Sequence, residues 1–406
     1  MFPPEIWEKI LQKIKCPEDL GRLKLVCKDW NIIIEKIIQQ QILWDDYCFQ
    51  EMTEKCMFHL VNQINEKPEE YSYDVVRSSD PMKYNKIWRE VYCYWKTWPL
   101  FINHRVFIDK LSNLSLIETY EQITHLDVYR DFIGIVTNEN RILFYNISDL
   151  ENIYYKVYIS STTTVQFTFW KTENADILAL ARSHSGVIHF WDVILKKPGI
   201  PRRINEGDII SICLEKCYVV HDLTVTRFAY VEAVPALVPV FHYVMQANVQ
   251  KDLEFMWKLG FSHYFSYIFF PSRENLSIWT NAKFYTVDED LIAVISDTNI
   301  RFLFTEWYSR NKWREYNLFN SLHGKIQYLC YHCRLLIFGL DSGSIYIFHV
   351  KKNSDLESFD FSPTNGRKII VDTKPIIFIR VIDFKKRKII VAATHDNVHF
   401  INFLSD

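Results

Sequence analysis

The 406 residues are 49% hydrophobic and 24% charged, with a formal net charge of −2, the composition of a globular chain with room for two or three domains. That balance gives no general attraction to nucleic acid or to an anionic membrane. No run of about 18 apolar residues offers a bilayer span, and the opening Pro3-Pro4-Glu5 is not the basic region of a secretory signal.

The nine cysteines are scattered and odd in number, which fits a reducing compartment and places the chain in the cytoplasm, the nucleus or both. The sequons at Asn113, Asn146 and Asn275 would be unused there. Aromatics reach 16% and there are only 10 glycines. Such a chain favours strands and must make its turns from Asn, Asp and Ser.

Three short amphipathic helices are predicted over residues 1–49. Pro3-Pro4-Glu5 opens the first, with prolines where a missing N–H costs least and a carboxylate at the positive helix end. Ile6, Ile10, Leu11 and Ile14 come next at helical spacing. Pro17 restarts the chain before Glu18 and Asp19, with Leu20, Leu23, Cys27 and Trp30 on one side. Ile33, Ile34, Ile37 and Ile38 mark the third helix. So short a bundle has little core of its own. Leu25, Val26 and Trp30 exceed what it can hide, and each buried apolar side chain is worth roughly 1.5–3 kcal/mol. A helical partner surface would cover the surplus.

Pro3-Pro4-Glu5-Ile6, Ile10-Leu11, Pro17-x-Asp19-Leu20, Leu25-Val26-Cys27-x-x-Trp30 and the later Trp44 together resemble the F-box, over residues 2–44. Phe2 and Cys16 are mild departures from its pattern. The resemblance implies docking on the Skp-type adaptor of a cullin-RING ubiquitin ligase. It implies that Pro3, Pro4, Ile6, Ile10, Leu11, Leu20, Leu25, Val26 and Trp30 face the adaptor or hold the helices that do.

Residues 50–100 read as a helical linker. Met57, Leu60, Val61 and Ile64 predict a helix over 54–64, and a polar loop with Pro68 and Pro81 is predicted over 65–82. A second helix then carries the stripe Ile87, Trp88, Val91, Tyr92 and Trp95, an anchor that sets the N-terminal helices relative to the C-terminal three quarters of the chain.

From residue 101 to 406 the chain turns to short β-type runs. Hairpins are predicted over Asp131–Ile147, Asp176–Val193, Leu291–Phe304, Arg334–Val350 and Lys388–Leu404, with weaker copies over Tyr264–Trp279 and Cys217–Val231. Repetition of one hairpin predicts radial closure, which leaves only short sheet edges. At about 44 residues per unit the region divides into seven blades; six is the other compatible count. The fold class is mainly β: an α-helical N-terminus, a helical linker, then a β-propeller. Gly186-Val-Ile-His-Phe-Trp-Asp192 and Asp341-Ser-Gly-Ser-Ile-Tyr-Ile-Phe348 resemble degenerate WD repeats. An F-box, a linker and a propeller in this order are similar to the WD-repeat F-box proteins, substrate receptors of ubiquitin ligases.

Enzymatic signatures are weak. Cys330-Tyr-His-Cys333 has metal-ligand spacing, with Cys213 and Cys217 as a second pair. In strands, residues i and i+3 point to opposite faces, so ordinary buried cysteines and no metal are expected. His221-Asp222 and His395-Asp396 are sequence neighbours without a nucleophile motif, and no P-loop, G-x-S-x-G or H-E-x-x-H occurs. Lys385-Lys386-Arg387-Lys388 reads as a solvated basic loop. No cofactor and no catalysis are expected.

The expected role is therefore a non-catalytic substrate receptor that holds an unknown target protein through one propeller face. Its turn residues Arg141, His184, Arg273, Asn299, Asp341 and His395 are the candidates for contact. With no helix upstream of the proline-rich start to mediate dimerisation, a monomer within the complex is expected. A scaffold that assembles proteins without degrading them is the alternative reading. A propeller hydrolase is the enzymatic one; it would need carboxylates converging on one face.

Overall fold

A computed structural model describes residues 3–14, 16–40, 44–64, 81–112, 114, 120–159, 163–221, 224–245, 282–288, 291–296, 298–304, 313–383 and 387–404. Among the described residues, six helices precede the sheets: α1 (Pro4–Leu11), α2 (Pro17–Leu23), α3 (Lys28–Gln40), α4 (Trp44–Glu51), α5 (Glu54–Ile64) and α6 (Pro81–Phe101). Prolines open α1, α2 and α6, at the position where no intrahelical N–H is lost. The side chains expected on one continuous face, Leu20 to Trp30, are divided between two helices. The chain turns over Lys24–Val26 and α3 begins at Lys28, which lifts Leu25 and Val26 onto a bend. Within the polar loop expected over 65–82, Pro81 and Met82 instead start α6, and residues 65–80 lie outside the described residues.

Every residue of the predicted aromatic stripe on α6 is buried, as are Met57, Leu60, Val61 and Ile64 on α5. They do not form a separate core. One apolar cluster runs from Leu11, Leu20 and Ile34 through Trp44, Trp88 and Trp98 to Ile337, Ile347, Ile390 and Ile401 of the sheets. The helices and the propeller thus share a continuous interior.

The strands form six antiparallel sheets among the described residues. In the first blade Ile123–Tyr129 is innermost, succeeded outward by Phe132–Thr137, Arg141–Asn146 and Asp149–Tyr158. The innermost strands of the second to sixth blades are Thr164–Lys171, Ile209–Cys213, Lys283–Asp288, Ile326–His332 and Phe378–Ile382. The sixth blade is completed on its outside by Val106–Lys110, which precedes all the others in the chain and pairs antiparallel with Val398–Phe403. Early and late strands so close the ring.

Seven blades were the count expected from length; the ring closes at six. A distinct apolar cluster fills each junction, including the one between the third and fourth blades, where Val220 and Val225 pack with Ile292, Val294 and Leu303. That contact leaves no room for a further blade between them. Division by length overcounts because residues 246–281, outside the described residues, intervene between those two adjoining blades. The hairpin expected over Tyr264–Trp279 falls in that stretch. The Cys217–Val231 hairpin is formed by Lys216–His221 and Thr224–Val231.

With few glycines, several turns force ordinary residues into left-handed backbone. Arg130, Leu214, Glu215, Cys333 and Arg334 all have positive φ, at about 1–3 kcal/mol each. These five lie in the turns between the first and second strands of the first, third and fifth blades. On the opposite face, glycine is used where nothing larger fits. Gly343 has φ +75, and a Cβ there would lie 2.0 Å from the Asp372 carbonyl oxygen.

Candidate interaction surfaces

The two ends of the propeller differ in what covers them. The end carrying the first-to-second-strand turns is occupied by α5 and α6. Gln63 on α5, buried, accepts the backbone N–H of Arg130 through Oε1 at 3.0 Å. Its neighbour Asn62 accepts from Lys171 Nζ at 2.8 Å and donates to Glu215 Oε1 at 3.3 Å. Lys171 also meets Glu215 at 2.5 Å, both almost fully buried. One helical turn of α5 therefore bonds three blades. Its polar residues, solvent-facing by composition, serve here as internal partners for strained turns.

From α6, Tyr94 and Trp98 donate to Asp383 Oδ1 at 2.8 and 2.9 Å. Asp383 is fully buried. Burial alone would raise its pKa, but His332 and His59 outweigh this and hold the carboxyl well below its usual range. Lys388, expected in a solvated basic loop, is buried instead, with Nζ over the Tyr94 ring at 3.8 Å and on Thr97 Oγ1 at 2.7 Å. Burial pushes its ammonium down to about 8. Lys385 and Lys386 lie outside the described residues. Arg334 stacks on Trp95 at 4.3 Å and reaches Glu51 at 3.4 Å, and Glu51 also holds Lys96 at 2.8 Å. A cavity of about 980 Å³ remains between α5 and the innermost strands, with Asp127, Arg380, His332 and Cys333 in its wall.

The opposite end carries the second-to-third-strand turns, where the candidate target-binding residues are expected. His184 is exposed at its turn, and His395 is exposed with Nδ1 3.3 Å from the Ile123 carbonyl. Asn299 is half-buried and donates to Glu315 at 3.1 Å. Asp341 accepts the Lys325 backbone N–H at 3.0 Å and so pins the turn it sits on. Arg273 lies outside the described residues.

Arg141 must be withdrawn from the surface. It is 1% exposed, and its guanidinium forks onto the equally buried Glu121, with Nε donating at 2.6 Å. The sequence places it beside a turn, but its side chain points into the blade, where a charge persists only with a partner. Pairings that adjacency in the sequence does not announce also mark this face: His399 on Asp372 at 2.8 Å, His221 on Asp208 at 2.6 Å, and a Lys374–Asp396 pair. Their partners lie far apart in the chain, so no local signal announces them.

The N-terminal helices form the second surface. Leu11 and Leu20 are buried, at 1% and 0%, and hold α1 and α2 against α3. Pro3, Pro4, Ile6 and Ile10 are exposed, and Trp30 is half-buried against Trp7, with ring centroids 4.8 Å apart. Leu25 is 88% and Val26 61% exposed, with Ile32 at 69%. Contiguous apolar side chains this open are unusual on a surface without a partner. No described helix is long and apolar enough to cross a membrane.

Residues 2–50 match the F-box-like family. No curated protein matches the sequence. Among solved structures, the chain is similar to the RRP9 WD40 repeats (10% identity, 73% of this chain and 97% of that chain covered, TM-score 0.48). It is also similar to U3-55K (10% identity, 73% and 98% covered, TM-score 0.46). The chain therefore joins an N-terminal segment that matches the F-box-like family to a β-propeller whose described strands form six blades.

Proposed function

We propose that this chain is the substrate-recognition subunit of a cullin-RING ubiquitin ligase. Its F-box-like helices dock on a Skp-type adaptor, and through it on a cullin, while the open propeller end binds a target protein. The observation that carries the reading is the apolar set Ile6, Ile10, Leu25, Val26 and Ile32, left exposed on helices whose own core is already filled by Leu11, Leu20, Ile34 and Ile37. Adaptor binding is general to F-box domains, and apolar helical surfaces pair with other helices. The shared core from α3 to the sixth blade supports a fixed spacing between the two binding ends. In this role the chain makes no bond itself. It raises the effective concentration of target lysines beside a ubiquitin-loaded enzyme.

The test is co-purification with a Skp-type adaptor, comparing wild type with the Leu25→Asp, Val26→Asp double variant. Both side chains are exposed, so the variant should fold as wild type does and lose adaptor capture. Capture of the adaptor by neither protein would remove the ligase reading and leave the scaffold as the better account.

A further inference from the structure

We propose that His59, His332 and Asp383 form a zinc-type cation site that staples α5 to the fifth and sixth blades. The three residues come from separate parts of the chain: α5, the end of the innermost strand Ile326–His332, and the residue after the strand Phe378–Ile382. One donor atom from each lies within 4.8 Å of the other two. Asp383 Oδ2 is 3.0 Å from His332 Nε2 and 3.6 Å from His59 Nε2. Ligands about 2.0–2.1 Å from a tetrahedral ion are separated by about 3.3 Å, so a cation fits between these atoms with small adjustment.

The carboxylate carries the second observation. Tyr94 and Trp98 fix Oδ1, as outer-shell donors fix a metal-bound carboxylate. Oδ2 is also fully buried and forms no aligned hydrogen bond among the described residues, although the two imidazoles approach it at 3.0 and 3.6 Å. A buried carboxylate oxygen without an aligned donor is costly, and a cation among Oδ2 and the two imidazoles removes that cost. Two imidazole nitrogens and one carboxylate oxygen suit zinc with a fourth position open to water, rather than magnesium or calcium, which take oxygen ligands. Binding would release any imidazole Nε2 proton to solvent. The carboxylate would offset one of the ion's two positive charges. The cavity lined by Cys56, His59, His332 and Cys333 provides an entry path.

The experiment uses the tag-free full chain purified without chelator, with zinc content measured by mass spectrometry and affinity by titration of the chelator-stripped protein. About one zinc per chain is expected, bound at least tenfold more weakly in His59→Ala and in the His59→Ala, His332→Ala pair. The His59 side chain is 44% exposed, so the single variant keeps the fold, checked by circular dichroism. Cobalt-loaded wild type should show visible d–d absorption of a low-coordinate site that the His59→Ala, His332→Ala pair loses. Chelator should lower the melting temperature of wild type and leave that of His59→Ala unchanged. Zinc that dialyses away from wild type, or that binds both histidine variants as tightly, overturns the proposal and marks the metal as adventitious.

Discussion

The two ends of the propeller are built from the same hairpin, repeated, yet they use their turns in opposite ways. On the helix-covered end, strained turns at Arg130, Glu215 and Arg334 are tied down by Gln63, Asn62 and Glu51. Their cost is offset by hydrogen bonds that only a docked helix supplies. On the open end, turns are held from within, by Asp341 on the Lys325 N–H and by the close fit of Gly343 under Asp372. Their outer side chains, such as His184 and His395, are left exposed. A turn that borrows its stability from another element is buried by it; a turn that stabilises itself is free to meet a partner.

This contrast can be broken most forcefully at the covered end. Trp98→Ala removes a fully buried indole and its bond to Asp383. A loss of about 3–5 kcal/mol is expected, measured by urea denaturation, together with loosened protease resistance over α6. Arg141→Met strips the partner from buried Glu121 and should also cost about 3–5 kcal/mol. Unchanged stability with impaired target capture would instead return Arg141 to the surface. Gln63→Ala leaves the Arg130 N–H without its acceptor and should cost about 1–3 kcal/mol, with faster hydrogen exchange confined to that turn and α5.

At the open end the effects should be smaller. His184→Ala is expected to lie within about 0.5 kcal/mol of wild type, so any loss of target binding there reports contact rather than unfolding. Asp372 is opposed by burial but held below its ordinary range by His399, the Thr373 and Lys374 N–H groups and Asn397. Its unfolded form therefore binds a proton first as pH falls. The contribution is complete above the ordinary carboxyl value near 3.8 and is lost as pH drops through the folded value. Acid denaturation of Asp372→Asn should lack that part of the slope, while wild type keeps it.

Local pattern revealed much of this architecture. The apolar spacing over 54–64 gave α5 its bounds, and the strand-turn-strand runs at 131–147, 176–193, 291–304 and 334–350 became hairpins of four blades. Both signals depend only on near neighbours in the chain and on which face each side chain must bury. The apolar excess at Leu25 and Val26 was legible for the same reason, since a short bundle has a limited interior.

The sequence alone therefore determined the kind and order of the elements its periodicity marked, and the surplus of apolar side chains at the N-terminus. Only the tertiary structure decided the number of blades, because closure depends on whether the third and fourth blades pack against each other. It alone decided that Arg141 and Lys388 turn inward, that polar residues of α5 become internal partners, and that His59, His332 and Asp383 meet. Each of these outcomes rests on contacts between residues tens to hundreds of positions apart, and no local periodicity carries them.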